Sequence, residues 1–328
     1  MTAPAPRSAA PPDELVARFR EAMRRLWVAG DLPDMKWGVA VSGGPDSLAL
    51  LLLAAAAKPG HVEAATVDHQ LRPEAASEAA MVAELCGRLG VPHRTLAVTV
   101  APGNTQDQAR HARYTALGEW AKERGIYGMA TAHHADDQAE TVLMRLNRAS
   151  GLAGLAGIRA VGHWPLTGLM LLRPLLDWRK AELADLVAGT GITAAHDPSN
   201  LDHRFDRVRM RAALADADWL DPAAIARSAA HLSDAELALG WAALREWEEN
   251  VADLGGGYSW TPVGLPRAIV LRIVEMAIGM LGREVRGGAV ARVAEDLSAG
   301  GRATLGGVLI DVRKGTWTFR PEPPRRSG

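Results

Sequence analysis

Between residues 37 and 147 the chain alternates short apolar runs with helical stretches, and glycines close two of the helices. Residues 37–41, 61–67, 93–100 and 126–132 read as strands, and 46–53, 74–89, 106–124 and 135–147 as helices. Gly90 and Gly125 stop the second and third helices. A strand–helix alternation of this kind forces parallel pairing, so the spacing predicts an α/β fold with a doubly wound, mainly parallel sheet. Ligands of such sheets sit beyond the carboxyl ends of the strands. The segments after each strand are therefore where chemistry is expected.

The first such segment is Ser42-Gly-Gly-Pro-Asp-Ser47. Two glycines let backbone N–H groups turn inward as a nest, and the following helix adds positive charge at its N-terminus. Ser42, Gly43, Gly44, Pro45, Asp46 and Ser47 are thus expected to bind phosphate, with Asp46 able to hold Mg²⁺. The run lacks the Gly-Lys-Ser/Thr of a Walker loop and is not GxGxxG. It resembles the PP-loop of the N-type ATP pyrophosphatases, enzymes that cleave ATP between the α- and β-phosphates and adenylate an oxygen of their substrate.

Four later segments narrow the resemblance. They are Asp68-His-Gln-Leu-Arg72, Ala109-Arg-His-Ala-Arg-Tyr114, His133-His-Ala-Asp-Asp-Gln-Ala-Glu-Thr141, and Asp197-Pro-Ser-Asn-Leu-Asp202 followed by Phe205, Arg207, Arg209 and Arg211. With Arg173-Pro-Leu-Leu176 they are similar, in order, to the motifs of the tRNA(Ile)-lysidine synthetase family, over residues 37 to about 212. Val208 departs from that pattern, which has asparagine there. By spacing alone, Arg110 and Arg113 can share one side of a helix, and so can His133 and Asp137. A zinc site is the alternative for the histidines and carboxylates, but hard carboxylates beside a phosphate loop favour Mg²⁺.

The resemblance implies a ligase. The C2 oxygen of the wobble cytidine in a CAU-anticodon tRNA(Ile) is adenylated by ATP, and the ε-amine of free lysine displaces AMP to give lysidine. The implied catalytic residues are Asp46, Arg113, His133 and Asp137, with Asp46 and Asp137 as ligands for Mg²⁺ or the lysine ammonium. Asp136 and Asp137 are both candidates for the base that frees the amine. Arg110, Arg204, Arg207, Arg209 and Arg211 are the expected tRNA contacts. Expected partners are tRNA(Ile) and free L-lysine, with a homodimer left open. The alternatives are another PP-loop enzyme, such as a tRNA thiolation enzyme or a small-molecule synthetase, and a non-catalytic relative that binds ATP and tRNA.

Composition limits the choice. Lys+Arg number 37 against Asp+Glu 38, so any nucleic-acid surface must be a local patch. Cys86 is the only cysteine, which excludes a disulfide framework and two-thiol chemistry and weighs against thiolation. The proline-rich start has no apolar core of a secretory signal, and the apolar run 48–57 is too short to span a bilayer, so a cytoplasmic enzyme is expected. The 328 residues suggest two domains. The expected division is a disordered tail over 1–20, a PP-loop catalytic domain over 21–215, and a smaller, mostly helical domain over 216–328 that ends in a β-hairpin around Lys314-Gly315.

Overall fold

The computed structural model describes residues 10–27, 35–70, 74–99, 105–164, 167–195, 206–283, 285 and 287–323. The first elements are α1 (Asp13–Leu26), β1 (Trp37–Ala40), α2 (Pro45–Ala57), β2 (Val62–Asp68), α3 (Glu74–Leu89), β3 (His93–Ala97), α4 (Thr105–Glu123), β4 (Gly128–Ala130) and α5 (Ala135–Leu146). They continue with α6 (Leu152–Leu155), β5 (Val161–His163), β6 (Met170–Leu172), α7 (Lys180–Gly189), α8 (Asp206–Asp216) and α9 (Pro222–Asn250). Six strands form one sheet in the order β3-β2-β1-β4-β6-β5. Its pairings are parallel except β5 with β6, which is antiparallel.

Adjacent residues of one strand enter different cores, as the two-residue period of a strand requires. On β4, Ala130 joins the core built with α1, α2, α3 and α7, while Met129 joins the core built on Tyr114, Leu117 and Trp120 of α4. Both faces of the sheet are therefore covered. Helix α2 is buried continuously from Ser47 to Ala54, so it is apolar all round instead of amphipathic. That burial fixes its N-terminus against the end of β1.

Helix α1 corrects the expected tail of 1–20. Val16, Phe19 and Met23 recur at helical spacing and are buried in the main core. A segment that buries Phe19 completely is part of the fold, so the ordered chain begins before residue 21.

The contacts divide the chain into two compact units, residues 1–150 with 154–230, and 151–153 with 231–328. The second unit contains β7 (Ala252–Asp253), β8 (Tyr258–Trp260), α10 (Arg267–Leu281), α11 (Gly287–Asp296), β9 (Gly301–Leu305), β10 (Val308–Arg313) and β11 (Thr316–Pro321). The expected hairpin is present as β10 and β11, turning through Lys314 and Gly315. It is part of a five-stranded sheet, β7-β8-β11-β10-β9. Its Val308, Ile310, Val312, Trp317 and Phe319 pack with Ile273, Val274, Ala277 and Ile278 of α10 in a separate core. Among the described residues no helix is long and apolar enough to cross a membrane.

Candidate active site

Strand β1 pairs in parallel with β2 on one side and β4 on the other. The chain runs outward through β2 and β3 in one direction and through β4 and β6 in the other. The strand order thus reverses between β1 and β4, and a crevice opens at their carboxyl ends. The loop that follows β1 and the segment that follows β4 both lie there.

The loop after β1 turns at Gly43, whose φ of +88° suits glycine, and enters α2 through Gly44 as N-cap and Pro45 as first residue. Buried Ser47 holds it closed. Its Oγ accepts from Ser42 N at 3.1 Å and donates to the Gly44 carbonyl at 2.9 Å. Gly43 O accepts from Ala195 N at 2.9 Å. Among the described residues no side chain caps α2, which leaves its first N–H groups to an anion. Ser42 is exposed, while Ser47 shapes the loop from inside.

His134 organises the second segment. It is the N-cap of α5 and only 3% exposed. Its Nε2 lies 3.6 Å from Asp46 Oδ2 and 3.4 Å from Asp137 Oδ2, and its Nδ1 lies 3.6 Å from Asp136 Oδ2. Burial disfavours its charged form, but Asp136, Asp46 and Asp137 outweigh it and raise the pKa to about 9. The ring is therefore an imidazolium at pH 7, with both nitrogens donating. In that form the 3.4 Å approach of Asp137 N to Nδ1 is a contact without a hydrogen bond. The other half of the capping box, His134 N donating to Asp137 Oδ2, is kept at 3.2 Å.

The three aspartates are not equivalent. Asp136 accepts from Lys180 N at 2.8 Å and from Arg179, which docks the start of α7. Burial would raise its pKa, but His134, the Lys180 N–H and Arg179 hold it well below the ordinary range. Those bonds occupy Asp136. Among the described residues, Asp137 meets only His134, and Asp46 Oδ1 is buried without a partner.

His133 precedes α5 and is not on it, so it feels the charge of Asp137 without the helical i, i+4 pairing, and the ion contact to Asp137 comes from His134. His133 Nδ1 lies 3.0 Å from the Thr131 hydroxyl. Burial, with Arg173, Arg207 and Arg113, lowers its pKa to about 4 against the pull of Asp137. It is neutral at pH 7. His69, after β2, is lowered too, first by burial and then by Arg113, and its Nδ1 is buried without a partner among the described residues. The charges of Arg173, Arg207 and Arg113 thus bear on His133, and those of the aspartates on His134.

Arg110 and Arg113 flank the Tyr114 ring, at 4.9 Å and 5.6 Å from its centroid, and Arg110 donates to its hydroxyl. Tyr114 in turn packs on Trp164 at 4.8 Å. On α8, Arg209 is paired with Asp206. Arg211 is paired with Glu140 of α5, a carboxylate only 1% exposed. Arg204 and the 197–202 motif lie outside the described residues. Arg207 makes no ion pair among them.

The choice of His133 over His134 in the sequence missed the hub of the site. The available signal was the capping position, three residues before Asp137. Glu140, Arg173 and His69 were also visible within the motifs, but burial gives them their importance.

A family model described as a PP-loop domain matches residues 15–217. The chain is 48% identical to the tRNA(Ile)-lysidine synthase of Novosphingobium aromaticivorans, over 93% of this chain and 94% of that protein. It is 45% identical to the enzyme of the same description from Methylobacterium nodulans, over 94% and 97%. For that of Zymomonas mobilis the identity is 42%, over 89% and 90%. Among solved structures, the U34-tRNA thiolase NcsA from Methanococcus maripaludis, with its [4Fe-4S] cluster, superposes with a TM-score of 0.56 at 16% identity. It covers 67% of this chain and 78% of its own, a likeness of fold alone.

Proposed function

The chain belongs to the tRNA(Ile)-lysidine synthase family, and from that premise we propose that it ligates free lysine to C2 of the wobble cytidine of a CAU-anticodon tRNA(Ile), using ATP. The family consists of ATP-using PP-loop ligases. The observation that carries the residue assignment is the convergence of Asp46 and Asp137 on one buried imidazolium at the reversal of strand order.

The ATP phosphates lie on the nest of Ser42, Gly43 and Gly44 and the open N-terminus of α2, with Pro45, Asp46 and Ser47 shaping it. The cytidine C2 oxygen attacks the α-phosphorus and pyrophosphate leaves. Arg113 faces the charge that develops on the phosphates, and neutral His133 offers a hydrogen bond without adding charge. The C2 oxygen then departs as part of AMP when the lysine ε-amine attacks C2. The amine arrives as ammonium, since its free pKa is about 10.4. Asp137 takes the proton, because Asp136 is committed to Lys180 and Arg179.

Asp46 and Asp137 suit Mg²⁺, a hard cation usually bound by one or two carboxylates plus phosphate oxygens and water. Asp46 Oδ1, buried and without a partner among the described residues, supports that fit. Mg²⁺ there would neutralise phosphate charge. Arg110, Arg207 and Arg209 remain the proposed tRNA contacts among the described residues. The cytoplasm is the proposed location.

The test is incorporation of labelled lysine into a CAU-anticodon tRNA(Ile) transcript with ATP. Incorporation that requires all three substrates, with pyrophosphate release, supports the reading. Binding of ATP and tRNA without incorporation would leave a non-catalytic relative instead.

A further inference from the structure

Helix α8 has no buried residue. Charge attaches it to α5 and to the turn after it: Arg211 Nε meets Glu140 Oε1 of α5 at 2.7 Å, and Arg148 Nη2, just past the end of α5, meets Asp206 Oδ2 at 3.1 Å. The second pair is unusual because Glu140 is fully buried and Arg211 is its partner through both oxygens. Asp137 and Glu140 are three residues apart on α5 and share a face. Asp137 reaches Asp46 through a single imidazole nitrogen. A guanidinium held on Glu140 is thus one helical turn from Asp137.

This placement poses a problem for the site. Asp46 and Asp137 must remain open to a cationic ligand, and Arg211 is a permanent cation held one helical turn from Asp137. Buried Glu140 offers Arg211 a better partner: a two-point, desolvated carboxylate. We propose that Glu140 is a positioning residue that sequesters Arg211 and so keeps the Asp46–Asp137 pair free for the lysine ammonium. Glu140 touches no substrate. It acts through Arg211, which serves the Asp46–Asp137 pair and not the tRNA backbone.

The proposal rests on the lysidine reading, so wild-type incorporation of labelled lysine is measured alongside. Failure there sinks the reading itself, whatever the variants do. With wild-type activity in hand, lysine binding to the full chain is followed by equilibrium dialysis, with and without ATP and Mg²⁺. Glu140→Gln releases Arg211 onto the aspartates. Lysine affinity should fall about tenfold or more, and the KM for lysine should rise more than kcat falls. In Glu140→Gln/Arg211→Gln the competing cation is gone, and lysine affinity should return to within about threefold of wild type. Arg211→Gln alone should also bind lysine near the wild-type level, which keeps a test available even if Glu140→Gln does not fold. If the double variant binds lysine no better than Glu140→Gln, or if Arg211→Gln loses as much affinity as Glu140→Gln, the pair is only a tether for α8 and the proposal is wrong.

Discussion

The Nε2 of His134 lies 3.6 Å from Oδ2 of Asp46, joining the segment after β4 to the helix that starts after β1. These residues are 88 positions apart in the chain (134 minus 46), and the strand order makes them neighbours. The imidazolium separates carboxylates that would otherwise repel one another.

Substitution of His134 by Gln should therefore be costly in a specific way. Three carboxylates lose their shared cation, and a buried charge left unpaired costs about 3–5 kcal/mol. Thermal unfolding should show that loss in full below about pH 6.5, and the difference from wild type should shrink as pH rises through about 9, where the imidazolium loses its proton. Lysine incorporation should fall by at least about tenfold. A His134→Gln protein as stable as wild type at pH 7 would rule out the shared-cation role.

Adjacent glycines in the phosphate loop should respond differently to alanine. Gly43 has φ +88°, and an added Cβ would meet Ala195 Cβ at an ordinary 3.5 Å, so the penalty is in the backbone and not in space. A left-handed conformation costs a non-glycine residue about 1–2 kcal/mol. Gly44 has φ −72°, and its Cβ would come no closer than 3.8 Å to Ser42 Oγ. Gly43→Ala should weaken ATP binding and lower the Tm, whereas Gly44→Ala should leave the Tm unchanged. Equal losses in both variants would contradict the backbone argument.

Glu63 gives a pH dependence away from the site. It is buried on β2 and paired with Lys36 at 2.9 Å and Arg124 at 2.6 Å. Burial alone would raise its pKa, but the bonds to Arg124 and Lys36 prevail and lower it below 4.5. A lowered folded pKa stabilises above the unfolded value, and that stability is lost as pH falls through the folded one. Urea unfolding of wild type should weaken below about pH 4.5. Glu63→Gln should be destabilised by about 1–3 kcal/mol at pH 7 and should lose part of that acid dependence. An unchanged slope would mean that Glu63 is not among the groups responsible.

Cys86 should be inert while the protein is folded. Its thiol is buried, and burial pushes its pKa up to about 12, so almost no thiolate exists at pH 8. A disulfide reagent should label it only at the rate of unfolding, and Cys86→Ala should not reduce lysine incorporation if the variant folds. Rapid labelling of the native protein would show that α3 opens locally.

The sequence by itself determined the local terms. Alternating strand and helix patterns required a parallel sheet, and glycines with a proline at residues 43–45 required a turn into a helix with a free N-terminus. Those requirements involve neighbours within a few residues, so spacing reveals them. The motifs also placed acidic and basic residues at strand ends, where ligands bind.

Tertiary structure decided which of those residues meet. His133 and His134 look alike in the chain, yet one faces arginines and is neutral at pH 7 while the other faces three aspartates and is charged. Arg211 reads as one of several basic residues on a helix, and only the burial of Glu140 shows where its charge is used. Helix α1 joined the fold through contacts with α2, far along the chain from its own polar surroundings. Charge state and partner choice depend on burial and on residues brought together from distant positions, and neither is a property of local spacing.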